Sequence, residues 1–219
     1  MEIEAIGRVR TCFGEKFAVP RQPGLCPSAW GRLEFHDAYR SPEAVRGLEG
    51  FSHVWLVFGF HLTADRAWSP TVRPPRLGGN ERVGVFASRS TFRPNGLGLS
   101  LVKLEGIDAE GPVLHLGGVD LVDGTPIYDV KPYLPYAESL PDAVGGFAPE
   151  APDRMPVETG DHLADWCERD QRVVVEALSL DPRPAAGREE PDREFGAMLC
   201  GRNVRFRFED GVCRITGVS

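Results

Sequence analysis

Hydrophobic and polar residues alternate with a period of two along most of the chain, in short runs separated by turn residues. In residues 2–10, Ile3, Ala5, Gly7 and Val9 fall opposite Glu2, Glu4, Ile6 and Arg8, which predicts a first strand. Residues 31–35 alternate again, and 51–60 form a nearly continuous apolar run of strand length, expected to be central and buried. Residues 83–88 predict a strand with Val83, Val85 and Ala87 on one face. A second begins at once from Leu97, with Leu97, Leu99 and Leu101 on one face and Val102 and Leu104 on the other. Further short strands are expected over 113–116, 118–122, 203–208 and 211–218, and an extended segment over 127–136 held out of helix by two prolines. Only two stretches read as helix. Residues 39–48 place Ser41 before Pro42 as a cap, and 165–180 put Trp166, Val173, Val174 and Leu178 on one side.

The breaks are equally informative. Pro94-Asn95-Gly96 and Asp123-Gly124-Thr125-Pro126 are strong turn signals, because Asn and Gly tolerate a positive φ and Pro presets its own. Residues 64–80, rich in Pro, Arg and Gly, form a long surface loop, and 139–157 hold too much Pro, Gly and acid for firm structure. A boundary therefore falls near residue 140. It divides a mostly β domain, 1–140, from a linker and a small α+β appendage, 141–219.

Composition narrows this picture. At 219 residues, 42% hydrophobic and 26% charged, the chain can bury a substantial core, and 25 Gly with 19 Pro favour strands and turns over a helical bundle. No apolar run approaches the length of a membrane span, and Met-Glu-Ile-Glu at the N-terminus does not resemble a signal peptide. Five scattered cysteines without a Cys-x-x-Cys pair argue against a zinc site or a disulfide framework and suit a reducing cytoplasm.

The net charge of −7 is unevenly spread. Residues 65–103 carry seven basic side chains against two acidic ones, whereas 138–170 carry nine acidic against two basic. The acidic block accounts for the whole excess, so a locally basic segment remains available to phosphates. Within it, Arg89 and Arg93 sit on a cramped loop that either holds an anion or simply faces water. A small-molecule enzyme with Cys12 or Cys26 as nucleophile and His53 or His61 as base is a further possibility, although the cysteines have no triad-like context.

The run from Gly84 to Asn95, Gly-Val-Phe-Ala-Ser-Arg-Ser-Thr-Phe-Arg-Pro-Asn, resembles the signature of the TrmO (YaeB) family. Other blocks of that family follow the same order: Pro20-Arg21-Gln22, then Phe51-Ser52-His53-Val54-Trp55 through His61, then Asp123 to Pro126 and Asp129 to Tyr133. The resemblance covers nearly all of 1–137. It is weaker in the tail, where Asp181-Pro-Arg-Pro184 matches but Ala185-Ala186-Gly187 stands where the family usually has an aromatic residue.

The resemblance implies a mainly β fold, a single-sheet barrel that binds S-adenosylmethionine, and a homodimer. It also implies methyl transfer to N6 of a threonylcarbamoylated adenosine beside the tRNA anticodon, with the anticodon stem-loop as partner and no metal. The absence of a Gly-x-Gly-x-x-Gly helix turn agrees that the cofactor site is not a Rossmann site. By similarity to the family, Pro20, Arg21, Gln22, His61, Leu62, Arg89, Leu99, Asp123, Gly124, Thr125 and Pro126 are expected at the cofactor. Asp129, Tyr133 and Asn95 are candidates for accepting or orienting the amine hydrogen, and Tyr133 or Tyr136 for stacking on a splayed base. Arg66, Arg73, Arg76 and Arg93, with Arg183, Arg205 and Arg207 in the appendage, are candidates for the tRNA backbone. A barrel that recognises the anticodon loop without chemistry is the alternative.

Overall fold

A computed structural model describes residues 2–108, 110–184 and 193–219 of the chain. The position of Ala185-Ala186-Gly187 lies outside the described residues. Strands β1 (Gly7–Thr11), β2 (Trp30–Phe35) and β3 (His53–Gly59) are followed by β4 (Thr71–Val72) and β5 (Val83–Gly84), which pair only with each other. Strands β6 (Leu97–Asp108), β7 (Val113–Gly117) and β8 (Thr125–Pro132) complete a closed barrel in the order β1-β2-β7-β6-β3-β8. Every neighbouring pair is antiparallel, including β1 with β8, so the sheet has no free edge.

The alternation read from the sequence becomes an inside and an outside. Val9, Leu33, Val54, Leu56, Phe58, Val102, Leu104, Leu114, Leu116 and Ile127 fill the core. Truncating one of them, such as Leu56→Ala, is expected to cost about 2–5 kcal/mol, because the wall around the gap relaxes only in part. Glycine allows close approach at two points of this wall. A Cβ at Gly7 would stand 2.3 Å from the Glu34 carbonyl of β2, and one at Gly98 would stand 2.2 Å from the Phe58 ring.

Residues 139–156 contain no strand or helix. Beyond them, β9 (Val157–Glu158), β10 (Phe195–Leu199), β11 (Arg202–Glu209) and β12 (Val212–Val218) form a second sheet in the order β10-β11-β12-β9. Among the described residues helices are few: α1 (Pro42–Val45), α2 (Pro135–Glu138) and one long helix, α3 (Glu168–Ser179). The second sheet and α3 share a core with the barrel. Val173, Val174, Ala177 and Leu178 are buried in the same cluster as the barrel interior. The Trp30 indole donates to Asp170 at 2.8 Å, and the Ser28 N–H and hydroxyl donate to Glu176 at 2.8 and 2.9 Å. The backbone of Phe13 bridges Leu199.

Several elements differ from expectation. The first strand begins only at Gly7, and residues 39–48 yield one helical turn, preceded by a 3-10 turn, with no side-chain bond from Ser41. The strand expected over 83–88 stops at Gly84 and becomes a 3-10 turn over Val85–Ala87, since only the two-residue β4 lies alongside it. Residues 118–122 are irregular because Gly118, at φ 67°, turns the chain out of β7. Pro135 opens a helical turn instead of prolonging β8, and Trp166 precedes α3 instead of lying on it. On β6 the buried face carries Ser100, Val102 and Leu104, while Leu99 faces outward and is 53% exposed. Strand β3 buries one face only: Val54, Leu56 and Phe58 point inward, while His53, Trp55 and Val57 are half-buried.

Candidate active site

One end of the barrel gathers the loops that carry most of the motif residues. The turn after residue 122 is closed by the Thr125 N–H donating to the Val122 carbonyl at 3.2 Å, with Gly124 at φ 77° in its third position. This is the position at which a type II turn requires glycine. The turn is clamped to β1. The Asp123 N–H donates to Phe13 O at 2.8 Å, the Gly124 N–H to Val9 O at 2.9 Å, and Arg8 Nη1 to Gly124 O at 2.9 Å. The Asp123 carboxylate accepts from the Thr11 N–H at 3.0 Å and pairs with Arg10 at 3.4 Å. The N–H groups of Asp123, Gly124 and Thr125 are therefore bonded within the protein, as are the Val122 and Gly124 carbonyls, which leaves the remaining carbonyls of the turn as its polar face toward a ligand.

His61 follows β3 and faces the same turn. Burial and the Arg8 guanidinium hold its imidazole below the ordinary histidine range, against the opposing pull of Asp123. It is therefore neutral near pH 7, with one ring nitrogen donating and the other accepting. The Phe60 N–H donates to Gly96 O at 2.8 Å, tying the His61 loop to the turn that bears Asn95. Arg89 donates to Gln22 Oε1, which joins the Pro20-Arg21-Gln22 loop to the signature loop. The charge of Arg89 also acts on Asp120, whose Oδ1 accepts from Ser100 Oγ at 2.7 Å. Burial nevertheless pushes the Asp120 carboxyl up to about 6.

Gln22, His61, Arg89, Asn95 and the turn of Asp123 to Thr125 thus belong to adjoining loops at this end. Leu99 and Asp129 do not point into it. The register places Leu99 and Asp129 on either side of Val57, in one row on the outer wall. Asp129 pairs there with Lys131 at 3.1 Å and accepts from the Val130 N–H at 2.9 Å. Tyr133 lies further along, its ring edge-on to His53 and Trp55 at centroid distances of 6.4 and 6.2 Å.

The basic candidates divide in the same way. Arg66, Arg73 and Arg76 are exposed, Arg66 lying 6.0 Å from the centre of the Phe92 ring. Arg93 staples its own loop by donating to the carbonyls of Ser88 and Ser90 at 3.0 and 3.3 Å. Arg183 is enclosed. Its guanidinium takes both oxygens of Asp181, at 2.8 and 3.1 Å, and lies 3.8 Å over the Phe208 ring, the two ionic side chains being 14% and 15% exposed. The guanidinium of Arg183 is thus engaged within the fold, unlike the exposed Arg66, Arg73 and Arg76. Arg205 and Arg207 remain half-exposed and share Glu194 at 3.8 and 3.7 Å.

The two candidate thiols, Cys12 and Cys26, do not form a nucleophilic site. Cys12 and Cys26 are about 1% exposed, and burial followed by the Glu176 charge raises the Cys26 thiol far above its ordinary range. Burial also pushes the Cys213 thiol up to about 12. Thiolates are the reactive form, so Cys26 and Cys213 are inert, and Cys12 is closed off by burial alone. Among the described residues, no three His, Cys, Asp or Glu side chains are grouped to hold a metal, and no helix is long and apolar enough to cross a membrane.

The tRNA-methyltransferase O N-terminal domain matches residues 8–139, and the TrmO C-terminal domain matches 152–219. The chain belongs to the TrmO family. It is 49% identical over 220 aligned residues to the tRNA (adenine(37)-N6)-methyltransferase of Escherichia coli K12, covering 95% of this chain and 94% of that one. A Pseudomonas aeruginosa relative, provisionally named S-adenosylmethionine-dependent methyltransferase RcsF, is 45% identical over 94% of this chain and 92% of its own. The crystal structure of TrmO from Pseudomonas aeruginosa superposes with a TM-score of 0.83 at 37% identity, covering 100% of this chain and 98% of that one. The TrmO barrel with its C-terminal sheet is therefore the fold of this chain.

Sequence reasoning passed over three residues of this end. Arg8 read as the polar side of a first strand, and Asp120 as part of a strand that does not form. Ser100 carried a usable signal, because the period that buries Val102 and Leu104 also buries Ser100, and a buried hydroxyl needs a partner.

Proposed function

We propose that this chain transfers a methyl group from S-adenosylmethionine to N6 of threonylcarbamoyladenosine at position 37 of tRNA. The observation that carries the reading is the near full-length match to the Escherichia coli enzyme, with Gln22, His61, Arg89 and the Asp123–Thr125 turn on adjoining loops of one barrel end.

The residues present suit the cofactor. Arg89, oriented by Gln22, matches a carboxylate. The remaining carbonyls of the Asp123-Gly124-Thr125-Pro126 turn match an adenine amino group or ribose hydroxyls, and neutral His61 can donate or accept beside them. Pro20, Arg21 and Leu62 complete the proposed contacts at this end, and Leu99 joins them only where the ligand extends from this end onto the outer wall. When bound, S-adenosylmethionine supplies an electrophilic methyl group on sulfur and its own leaving group. The chain contributes positioning, since the lone pair of the acceptor N6 is delocalised and its hydrogen must be taken up. Asn95, on the loop tied to His61, can orient that hydrogen. Asp129 and Tyr133 serve as acceptor and stacking group if the base crosses the outer wall. The threonyl carboxylate and the phosphates are anions, which accords with the basic segment holding Arg66, Arg73 and Arg76. Arg205 and Arg207 would extend that contact.

The row Leu99-Val57-Asp129 lies beside half-buried Trp55 on the outer wall. Exposed apolar side chains on a barrel wall, next to proposed catalytic groups, support a homodimer formed through this face.

The test is incubation with methyl-labelled S-adenosylmethionine and a threonine tRNA with or without the threonylcarbamoyl group, followed by nucleoside analysis. Label on N6 of only the modified nucleoside is expected. Equal labelling of unmodified adenosine would remove the threonylcarbamoyl requirement, cofactor binding without transfer to either tRNA would point to another RNA substrate, and no cofactor binding would favour a purely RNA-binding barrel.

A further inference from the structure

Asp120 lies at this barrel end, and the proposed contacts leave its placement unexplained. It lies in the irregular segment between Gly118 and the Asp123 turn, where Val119 and Leu121 on either side are 0% and 2% exposed. The flanking burial fixes its position. Ser100, itself 1% exposed, reaches it from the inner face of β6 and donates to Oδ1 at 2.7 Å. Arg89 acts on it through its charge, yet no Lys or Arg forms an ion pair with it among the described residues, and the Arg89 guanidinium instead meets Gln22.

A half-buried carboxylate held only by neutral donors, the Ser100 hydroxyl and its own backbone N–H, and with no cation of its own, is unfavourable as a purely structural device. Next to a guanidinium that does not close on it, it is one half of a site for a zwitterion.

We propose that Asp120, positioned by Ser100, accepts the α-ammonium group of the cofactor, while Arg89 takes the α-carboxylate. This inference rests on the reading that this barrel end holds S-adenosylmethionine. The two opposite charges remain apart in the protein so that the amino-acid end of the ligand can lie between them. The same segment leads directly into the turn that meets the nucleoside end, so residues 120–124 follow the ligand from one end to the other. Because burial holds the Asp120 carboxyl near 6, the ammonium must find it ionised, and binding then weakens as the group takes up a proton below that pH. The charged group facing Asp120 is Arg89. His61, Arg8 and Asp123 act on one another around the adjacent turn, so His61 also titrates at this site.

The experiment compares two ligands by calorimetry: S-adenosylhomocysteine, which has the amino-acid end, and 5′-methylthioadenosine, which lacks it. Asp120→Asn is expected to weaken S-adenosylhomocysteine by roughly 10- to 100-fold, the range for a charge-assisted hydrogen bond. Binding of 5′-methylthioadenosine should be unchanged. In the unaltered protein, S-adenosylhomocysteine should weaken by approaching tenfold per pH unit below about 6, and Asp120→Asn should abolish that slope even though His61 remains. Ser100→Ala keeps the carboxylate but removes its hydroxyl donor. It should move the pH midpoint upward, which guards against a fold defect in Asp120→Asn. Equal loss of both ligands in both variants, or full S-adenosylhomocysteine affinity in Asp120→Asn, overturns the assignment. If the unaltered protein binds neither ligand, the cofactor reading itself fails.

Discussion

Arg8 Nη1 donates to the carbonyl of Gly124 at 2.9 Å, joining residues 116 positions apart in the chain. The same guanidinium helps to hold His61 below the ordinary histidine range. Arg8→Ala should therefore do two things. The His61 pKa, followed by NMR of its ring protons, should rise, because a repelling charge is lost while burial and Asp123 remain. Cofactor affinity should fall by several-fold as the turn loses its clamp. A His61 titration that does not move would show that Arg8 lies too far away to act on it.

Removing Arg183 should damage the fold and spare tRNA binding. Its guanidinium pairs with Asp181, which is 15% exposed, and packs over Phe208, so the variant loses both contacts. Breaking such a pair from one side costs about 3–5 kcal/mol when it is fully buried, so a loss of about 2–4 kcal/mol in denaturant unfolding is expected for Arg183→Ala. The salt dependence of tRNA affinity should stay at its original slope. A flattened slope with unchanged stability would return Arg183 to the RNA surface.

The opposite outcome is expected for Arg66, Arg73 and Arg76, which are exposed. The triple alanine variant should lower tRNA affinity. It should also reduce the slope of log K against log salt by about one for each phosphate contact removed. Thermal stability should change little, since exposed arginines contribute little to it. Arg93→Ala should instead loosen the 88–96 loop, lowering turnover more than it lowers the salt slope, because its bonds go to Ser88 and Ser90.

Leu99 tests the outer wall. At 53% exposed it contributes little to the barrel core, so Leu99→Asp should leave the monomer folded. If the row Leu99-Val57-Asp129 meets a second copy, sedimentation velocity should show the variant shifted toward monomer. Unchanged association would direct the dimer to another face.

Much of this protein can be read residue by residue, because the signals are local. The period of two places Val204, Phe206 and Phe208 on the buried face of β11, as expected. Asp123-Gly124 turns where its residue types require, and the apolar run ending at Phe60 becomes β3. Proline and glycine mark the same breaks in sequence and structure. The motif from Gly84 to Asn95 identifies the family because its side chains are specified one by one, whatever path the backbone takes between them.

What could not be read depends on partners distant in the chain. Residues 83–88 have the right alternation but only the two-residue β4 beside them, so the strand ends at Gly84. Leu97, Leu99 and Leu101 are as hydrophobic as a core face, yet barrel closure turns Ser100, Val102 and Leu104 inward instead. The alternation itself established that this chain forms strands and where they break, and the motif residues established which family it resembles. Only the closed barrel decided which side of each strand is interior, enclosed Arg183 against Phe208, and brought Asp120 to Ser100 beside Arg89. The physical reason is that backbone preference and periodicity act over a few residues. Burial, hydrogen-bond pairing and charge depend on which distant segments the closed sheet makes neighbours.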